Sequence, residues 1–415
     1  MNIFVTSSCG GQCRYCLAKV FMRVKKTLTK WNAYRFLWFL IKNAIKRKSI
    51  LPELNVMGGE PFLYDKLGWF LRLLNRFKVV RYYTVFTGGI FPTENLEMLN
   101  GIKNCHVCLN LNEKKDYKPD VYELIIKNLT TLIDEKHIRV GLSFNIYSLN
   151  FNGDEIIETA EKFGITHIRF AIASPIYNHI GLTELVHPKD YPKLEPKVFD
   201  FIKKCDEKGI TVNLDCRLPR CFFTEEHIGW FVQNNHDIAK GLQPCLCGGP
   251  TCISPDLMVS KCTVFSDVSE HLSKFSTIDE IIDWEYHSLD SRFGIPNLYP
   301  KCANCKHNTY CSGGCPAWKE NWINNPDEVN KDKDLIIVMK CNIQIFESLG
   351  QDALNYSVFK VIEKEMLKRF SRLPRKPDPI MLQVLAYYYE STGREELAQK
   401  YKRQANNAGD VSYFS

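Results

Sequence analysis

Cys9, Cys13 and Cys16 stand in the run Cys-Gly-Gly-Gln-Cys-Arg-Tyr-Cys, a C-x3-C-x2-C spacing. Three thiolates on one tight loop can hold three irons of a [4Fe-4S] cube, whereas a complete site uses four cysteines, so one iron is left without a side-chain ligand. An open metal position is what catalytic sites keep for substrate or cosubstrate. The spacing by itself also admits a zinc site completed by a distant ligand, or three unrelated buried thiols. A second, denser group lies downstream. Cys302, Cys305, Cys311 and Cys315 give C-x2-C-x5-C-x3-C, with Cys245, Cys247, Cys252 and Cys262 ahead of them and Cys341 behind. Taken alone, four such cysteines would also suit a structural zinc site.

The elements that must position these residues follow from periodicity. Alternating β-like runs and amphipathic stretches predict strands over 2–6, 51–57, 79–86, 106–111, 138–147 and 165–171, with helices over 31–46, 65–77, 94–99, 121–134 and 153–163 between them. In the first helix the expected apolar stripe is Tyr34, Leu37, Trp38 and Ile41. Six β/α units predict a partial (β/α)6 parallel barrel, an α/β fold, with its site at the C-terminal ends of the strands by analogy with the complete barrel. A helix over 189–208 and a strand over 210–215 then lead into the cysteine-dense region. Regular structure is expected to be sparse there, so something other than an apolar core must hold it. Helices over 381–390 and 395–406 form a hairpin near the end. The expected division is a barrel over 1–188, a bridge over 189–244, a cysteine-rich domain over 245–345 and a helical segment over 346–415.

A second motif lies just beyond the cysteine loop. Asn55-Val56-Met57-Gly58-Gly59-Glu60-Pro61 ends the second predicted strand with two glycines and a carboxylate. Glycines let a backbone approach a ligand closely, and a carboxylate can meet an ammonium group. The cysteine loop and Gly-Gly-Glu, in that order, resemble the radical S-adenosylmethionine superfamily, with Tyr15 at the aromatic position of the loop. The resemblance implies that the open iron is chelated by the amino and carboxylate groups of S-adenosylmethionine, that Gly58, Gly59 and Glu60 take the methionyl amine, and that Tyr15 lies near adenine. Thr87-Gly88-Gly89 stands where the family commonly has Thr-Asn-Gly, and Asn110-Leu111-Asn112 where Ser-x-Asp often closes the fourth strand; Asn110 is the candidate ribose contact. Strand-ending turns would favour the same residue types.

The downstream cysteines resemble the SPASM extension of that superfamily, which carries two auxiliary [4Fe-4S] clusters, making three in all. The resemblance implies that Cys247, Cys262 and Cys315 hold the first, with Cys245 or Cys252 as a possible fourth ligand, and that Cys302, Cys305, Cys311 and Cys341 hold the second. Two departures stand out: Leu257 occupies the place of a family glycine, and Thr263 follows Cys262 where sulfatase-maturing relatives carry an acidic base. The chemistry implied is one-electron cleavage of S-adenosylmethionine to methionine and a 5′-deoxyadenosyl radical, which takes a hydrogen atom from a substrate held against it. An external low-potential electron donor is required.

Composition bounds the rest. The chain has 415 residues, 45% apolar and 24% charged, and 17 cysteines. That length predicts two or three soluble globular domains at roughly 150 residues each. No stretch reaches the roughly 20 apolar residues of a membrane span, and residues 1–8 lack a secretory layout. The default compartment is therefore a reducing cytoplasm, where clustered cysteines argue for metal chemistry. Residues 1–52 hold eleven Lys/Arg and no acid within a total of +7, which leaves −4 for the remainder. Such a segment can attract nucleic acid, an acidic peptide or an anionic small molecule, or lie as a solvated helix face. A cross-linking maturase of ribosomally made peptides is the leading expectation, with a SPASM-type dehydrogenase or epimerase as the alternative, for which Asp215, Cys216 and Cys221 are candidates. No separate peptide-recognition domain is expected ahead of Cys9, so a precursor would bind the barrel mouth, the basic helix or the C-terminal helices. An RNA-modifying enzyme, dependent on Lys25, Lys26 and Arg47 and steeply salt-sensitive, and a structural zinc protein are the disfavoured readings from other classes.

Overall fold

The structure is a computed structural model. It describes residues 1–11, 13–16, 25–173, 186, 190–216, 218–241, 250–263, 265–266, 268–293, 386, 389–390 and 393–407. The chain divides into two compact units: Met1–Arg217, Cys221–Gln243 and Gly248–Glu285 form the first, and Leu218–Arg220, Pro244–Cys247 and Tyr286–Ser415 the second.

The first unit is built on one sheet. Strands β1 (Asn2–Phe4), β2 (Leu51–Met57), β3 (Val80–Thr87), β4 (Cys105–Asn110), β5 (Arg139–Ile146), β6 (His167–Ile172) and β7 (Thr211–Leu214) pair parallel in chain order. Helices α1 (Lys30–Arg47), α2 (Leu67–Phe77), α3 (Pro119–Thr130), α4 (Asp154–Lys162) and α5 (Tyr191–Glu207) are the crossovers that parallel pairing requires. Between β3 and β4 the crossover is only a 3-10 turn, Thr93–Leu99, where the sequence suggested a helix. The strand expected outside the barrel is β7, so the parallel sheet runs one strand beyond the six anticipated units.

Side chains alternate across this sheet as period two demands. Leu54, Val85, Leu109, Leu142, Ile168 and Val212 are buried against the helices. The opposite face is polar: register places Phe86 and Cys108 side by side, and Asn110, Ser143, Arg169 and Asn213 in one row. Arg169 on β6 sits 4.8 Å from the ring centroid of Phe86 on β3. In a flat sheet those strands stand roughly 14 Å apart, at about 4.8 Å per step. The contact requires a sheet rolled towards its polar face, which makes that face the barrel lumen.

Two expectations change. Helix α1 buries Ala33, Phe36, Leu37, Phe39 and Leu40, while Tyr34 and Trp38 of the expected core stripe are exposed. The helix carries two apolar stripes, and the sheet has room for one. The second change concerns residues 250–293, which are more regular than expected. Strand β8 (Cys252–Ile253) pairs parallel with β1 on the far side from β2, and β9 (Met258–Ser260) and β10 (Glu270–His271) extend the sheet antiparallel. Among the described residues it is ten-stranded, in the order β10-β9-β8-β1-β2-β3-β4-β5-β6-β7. Buried Ile253, Leu257, Val259, Phe265 and Ile281 supply the apolar core that had seemed lacking. Lys261 and Glu285, both buried, form an ion pair of 3.0 Å beneath it. Helices α6 (Glu225–Asn234), α7 (His236–Gly241) and α8 (Ile278–Phe293) complete the elements up to residue 293.

In the second unit, α9 (Glu395–Asn407) is the second helix of the expected hairpin. Of the first helix only Ala386, Tyr389 and Glu390 are described, and they are helical. Tyr389 stacks on Tyr401 with centroids 5.4 Å apart.

Candidate active site

The cysteine loop leaves the C-terminal end of β1 and is held from beneath by the end of β2. The Gly59 N–H donates to the Thr6 carbonyl at 2.8 Å and the Glu60 N–H to the Ser8 carbonyl at 2.7 Å. A Cβ on Gly59 would lie 2.3 Å from the Ser8 carbonyl oxygen and 2.8 Å from the Cys9 Cβ; one on Gly58 would lie 2.7 Å from the Thr6 carbonyl oxygen. Both glycines are therefore required where the Gly-Gly-Glu turn packs under the loop.

Cys9 is exposed, and Cys13 and Cys16 are half-buried; none is in a disulfide. The point a Gly11 Cβ would occupy is 3.6 Å from the Cys9 sulfur and 3.7 Å from the Cys13 sulfur, so both thiols face one side of the loop. Among the described residues no three His, Cys, Asp or Glu side chains gather around one ion position. Three cysteine thiols on one loop are the donor type that holds an iron–sulfur cluster, each thiolate serving a different iron. Other thiols in the barrel are of a different kind. Burial pushes Cys105 and Cys205 up to about 12 and Cys108 up to about 11, values that hold a thiol protonated and inert.

Glu60 is 2% exposed. Its carboxylate accepts from the Phe62 N–H at 3.2 Å, from the Gly88 N–H at 2.9 Å and from the Thr87 hydroxyl at 2.8 Å. Burial raises it to about 7, against the downward pull of those same hydrogen bonds. The Thr87 hydroxyl also accepts from the Gly89 N–H at 2.9 Å, and Gly89 takes φ +74°, a conformation that favours glycine. The Thr-Gly-Gly and Gly-Gly-Glu motifs thus meet as one hydrogen-bonded unit.

Tyr15 and Asn110, assigned from separate motifs, touch. The Asn110 amide donates to the Tyr15 phenol oxygen at 2.7 Å, and the phenol donates to Asn112 Oδ1 at 3.0 Å. Asn145 Nδ2 donates to Asn110 Oδ1 at 2.5 Å, and Asn112 Nδ2 to the Asn145 carbonyl at 3.3 Å. Tyr147 stacks on Tyr15 at 5.5 Å and donates to Asp116. Burial, with Cys13 beside it, pushes the Tyr15 phenol well above its usual 10. Asn145 and Tyr147 escaped the sequence reading. Their only signal was position, at the end of a strand adjacent to Asn110.

Arg169, in the same row as Asn110, pairs with Asp215, just past the end of β7. Of the second cysteine group, Cys252 is buried on β8, where the Asn2 amide donates to its sulfur at 3.6 Å, and Cys262 is half-buried just after β9. Cys245, Cys247, Cys302, Cys305, Cys311, Cys315 and Cys341 lie outside the described residues. Leu257, at the family's glycine position, takes φ +65°.

No protein-family model matches the chain. GTP 3',8-cyclases of Campylobacter jejuni are 25% identical over 178 residues, 41% of this chain and 54% of theirs. That of Aquifex aeolicus is 24% identical over 188 residues, 41% of this chain and 55% of its own. The chain therefore spans about half the length of the curated relatives it matches. Among solved structures, Streptococcus suis SuiB bound to S-adenosylmethionine aligns with a TM-score of 0.51 at 18% identity, covering 78% of this chain and 74% of that one. The protein anSMEcpe with bound AdoMet aligns at 0.55 and 16%, covering 84% and 99%. These likenesses show the fold. The cysteine loop stands at the end of the first strand of this fold, which is similar to that of these S-adenosylmethionine-binding structures.

Proposed function

We propose that this chain is a radical S-adenosylmethionine enzyme of the SPASM type that oxidatively modifies a ribosomally made peptide or protein side chain, forming a cross-link, in the reducing cytoplasm. The observation that carries the reading is the junction of the Cys9–Cys13–Cys16 loop with the Tyr15–Asn110–Asn145 network at the C-terminal strand ends. Cys9, Cys13 and Cys16 would hold the first cluster. Gly58, Gly59 and Glu60 would receive the methionyl amine, and Tyr15 and Asn110 the adenosine. Auxiliary clusters would fall to Cys247, Cys262 and Cys315 with Cys245 or Cys252, and to Cys302, Cys305, Cys311 and Cys341. When bound, cluster and S-adenosylmethionine supply a strong hydrogen-atom abstractor, at the expense of one electron from an external low-potential donor.

The chain's own residues do the positioning. The amides of Asn110, Asn112 and Asn145, already ordered through the Tyr15 phenol, present paired donors and acceptors to a ribose without reorganisation. Glu60, buried beneath the loop, is poised to take charge when an ammonium arrives beside it. Arg169 and Asp215 give the lumen a fixed dipole against which a polar substrate can be oriented. For the peptide class, the support is that SuiB aligns also in its complex with the precursor peptide SuiA, and anSMEcpe in its complex with a Cp18Cys peptide.

The test is anaerobic reconstitution followed by mass spectrometry of candidate peptides. Loss of two hydrogens with release of deoxyadenosine supports the reading. Unchanged mass with uptake of solvent deuterium favours epimerisation, the second reading, for which the half-buried Cys216 beside the Asp215–Arg169 pair is the observation in hand.

A further inference from the structure

We propose that the outer face of α1, with the turn that follows β10, is the docking groove for an acidic, apolar-bearing recognition segment of the peptide substrate. The inference rests on the peptide-modifying reading above and adds where such a peptide is gripped.

The groove exists because α1 has one apolar stripe too many. Its inner stripe is spent on the sheet, and Trp31, Tyr34 and Trp38 are left 70%, 48% and 59% exposed along the opposite side. Two tryptophans and a tyrosine at helical spacing, left in water, are the composition of a binding hot spot. They do not form a flat patch. Leu257 and Leu272, both buried, floor a groove of ≈ 310 Å³ between the helix and the 3-10 turn Leu272–Lys274.

Its walls are fixed to each other along the length of the helix. The Asn32 amide donates to the Pro255 carbonyl at 3.0 Å, and Asn43 Oδ1 accepts from the Ile278 N–H at 2.9 Å. Arg47 pairs with Asp279 at 3.0 Å and Lys46 with Glu280 at 3.6 Å. Such a groove binds without the entropic cost of assembling itself.

Charge selects the occupant. Arg35 and Lys42 line the groove, no carboxylate lines it, and neither forms an ion pair among the described residues. Of the other cations of this stretch, Lys26, Lys46 and Arg47 are matched to Asp256, Glu280 and Asp279, and Lys30 lies 5.6 Å over the Trp69 ring. Two cations left unmatched between exposed aromatics call for a segment that alternates carboxylates with apolar side chains. Because α1 is the crossover between β1 and β2, the groove lies on the outside of the barrel. It would hold a part of the peptide that does not react.

The test uses the full-length reconstituted protein and fluorescence anisotropy of three labelled synthetic dodecapeptides: one alternating glutamate with phenylalanine and leucine, one with lysine for glutamate, and one with serine for the apolar residues. The first is expected to bind, and the other two at least about tenfold more weakly. Arg35→Glu/Lys42→Glu should weaken the first about tenfold and improve the second. Trp38→Ala, at a position too exposed to threaten folding, should weaken the first alone. The proposal is overturned if the acidic peptide does not bind, if the charge reversal leaves its affinity unchanged, or if the serine peptide binds as well. It is equally overturned if only phosphatidylserine vesicles bind, or if sedimentation shows a dimer that Trp38→Ala dissolves. Binding is read without turnover, so the two readings fail differently. Failure of the peptide-modifying function leaves this binding intact with no peptide altered, whereas failure of the groove leaves modification with a KM that charge reversal does not move.

Discussion

The amide of Asn110, at the end of β4, donates a 2.7 Å hydrogen bond to the phenol of Tyr15, on the cysteine loop that follows β1. Three strand positions separate them along the sheet, so the contact exists only because the barrel mouth is curved and the loop folds across it. Tyr15→Phe removes the oxygen that both Asn110 and Asn112 use. Each lost neutral hydrogen bond costs about 1 kcal/mol, so loss of the two should raise the dissociation constant for S-adenosylmethionine by up to roughly thirtyfold while the cluster's absorbance is unchanged. Anaerobic calorimetric titration checks this, and an unaltered constant would detach Tyr15 from the cofactor site.

Thr87 ties two motifs together through one hydroxyl, which donates to Glu60 and accepts from the Gly89 N–H. Thr87→Val keeps the shape and deletes both bonds, leaving a buried N–H and a buried carboxylate short of a partner. A cost of about 1–3 kcal/mol follows, read as a lower thermal midpoint. Thr87→Ser should retain most of the stability, and equal midpoints for the two variants would contradict the role given to the hydroxyl.

Leu257 combines 1% exposure with a left-handed backbone. Alanine there would lose the buried side chain and keep the unfavourable φ; glycine would lose the side chain and relieve the backbone, a difference of about 1 kcal/mol. Leu257→Gly should therefore unfold at higher denaturant than Leu257→Ala, the reverse of the usual order. Finding alanine the more stable would show that the turn relaxes out of the left-handed region.

Burial, with the Arg139 guanidinium nearby, holds His167 below its usual 6.5, and the same causes act on His106. A depressed histidine is neutral in the fold and protonates more readily in the unfolded chain, so stability falls as pH drops below about 6.5 and is regained above it. Denaturant midpoints between pH 7 and pH 5 should decline, and decline less in His167→Gln. A steeper decline in that variant would contradict the assignment.

What could be read in the sequence was what local pattern dictates. The strand Leu51–Met57 begins and ends where alternation and Gly58-Gly59 place it, whereas Tyr15 and Asn110 came from the family resemblance, one in the cysteine loop after β1 and one at the end of β4. Pairings across the mouth, such as Glu60 with Thr87 or Asn110 with Asn145, were not legible, because nothing in one strand specifies what its neighbour presents. Helix α1 misled for a different reason: periodicity reveals that a stripe is apolar, not which of two stripes the sheet covers. Residues 250–293 looked irregular because β8 and β10 are two residues each, too short for any alternation to register.

The central claim is that Cys9, Cys13 and Cys16 leave one iron of their cluster to S-adenosylmethionine. Electron–nuclear double resonance on the reduced, anaerobically reconstituted protein, with the methionyl amine labelled by nitrogen-15, tests it most directly. The account predicts a nitrogen coupling that appears on adding the labelled compound and vanishes with the cluster in Cys9→Ala. An intact cluster that shows no such coupling, its fourth iron held by a protein side chain, would contradict it.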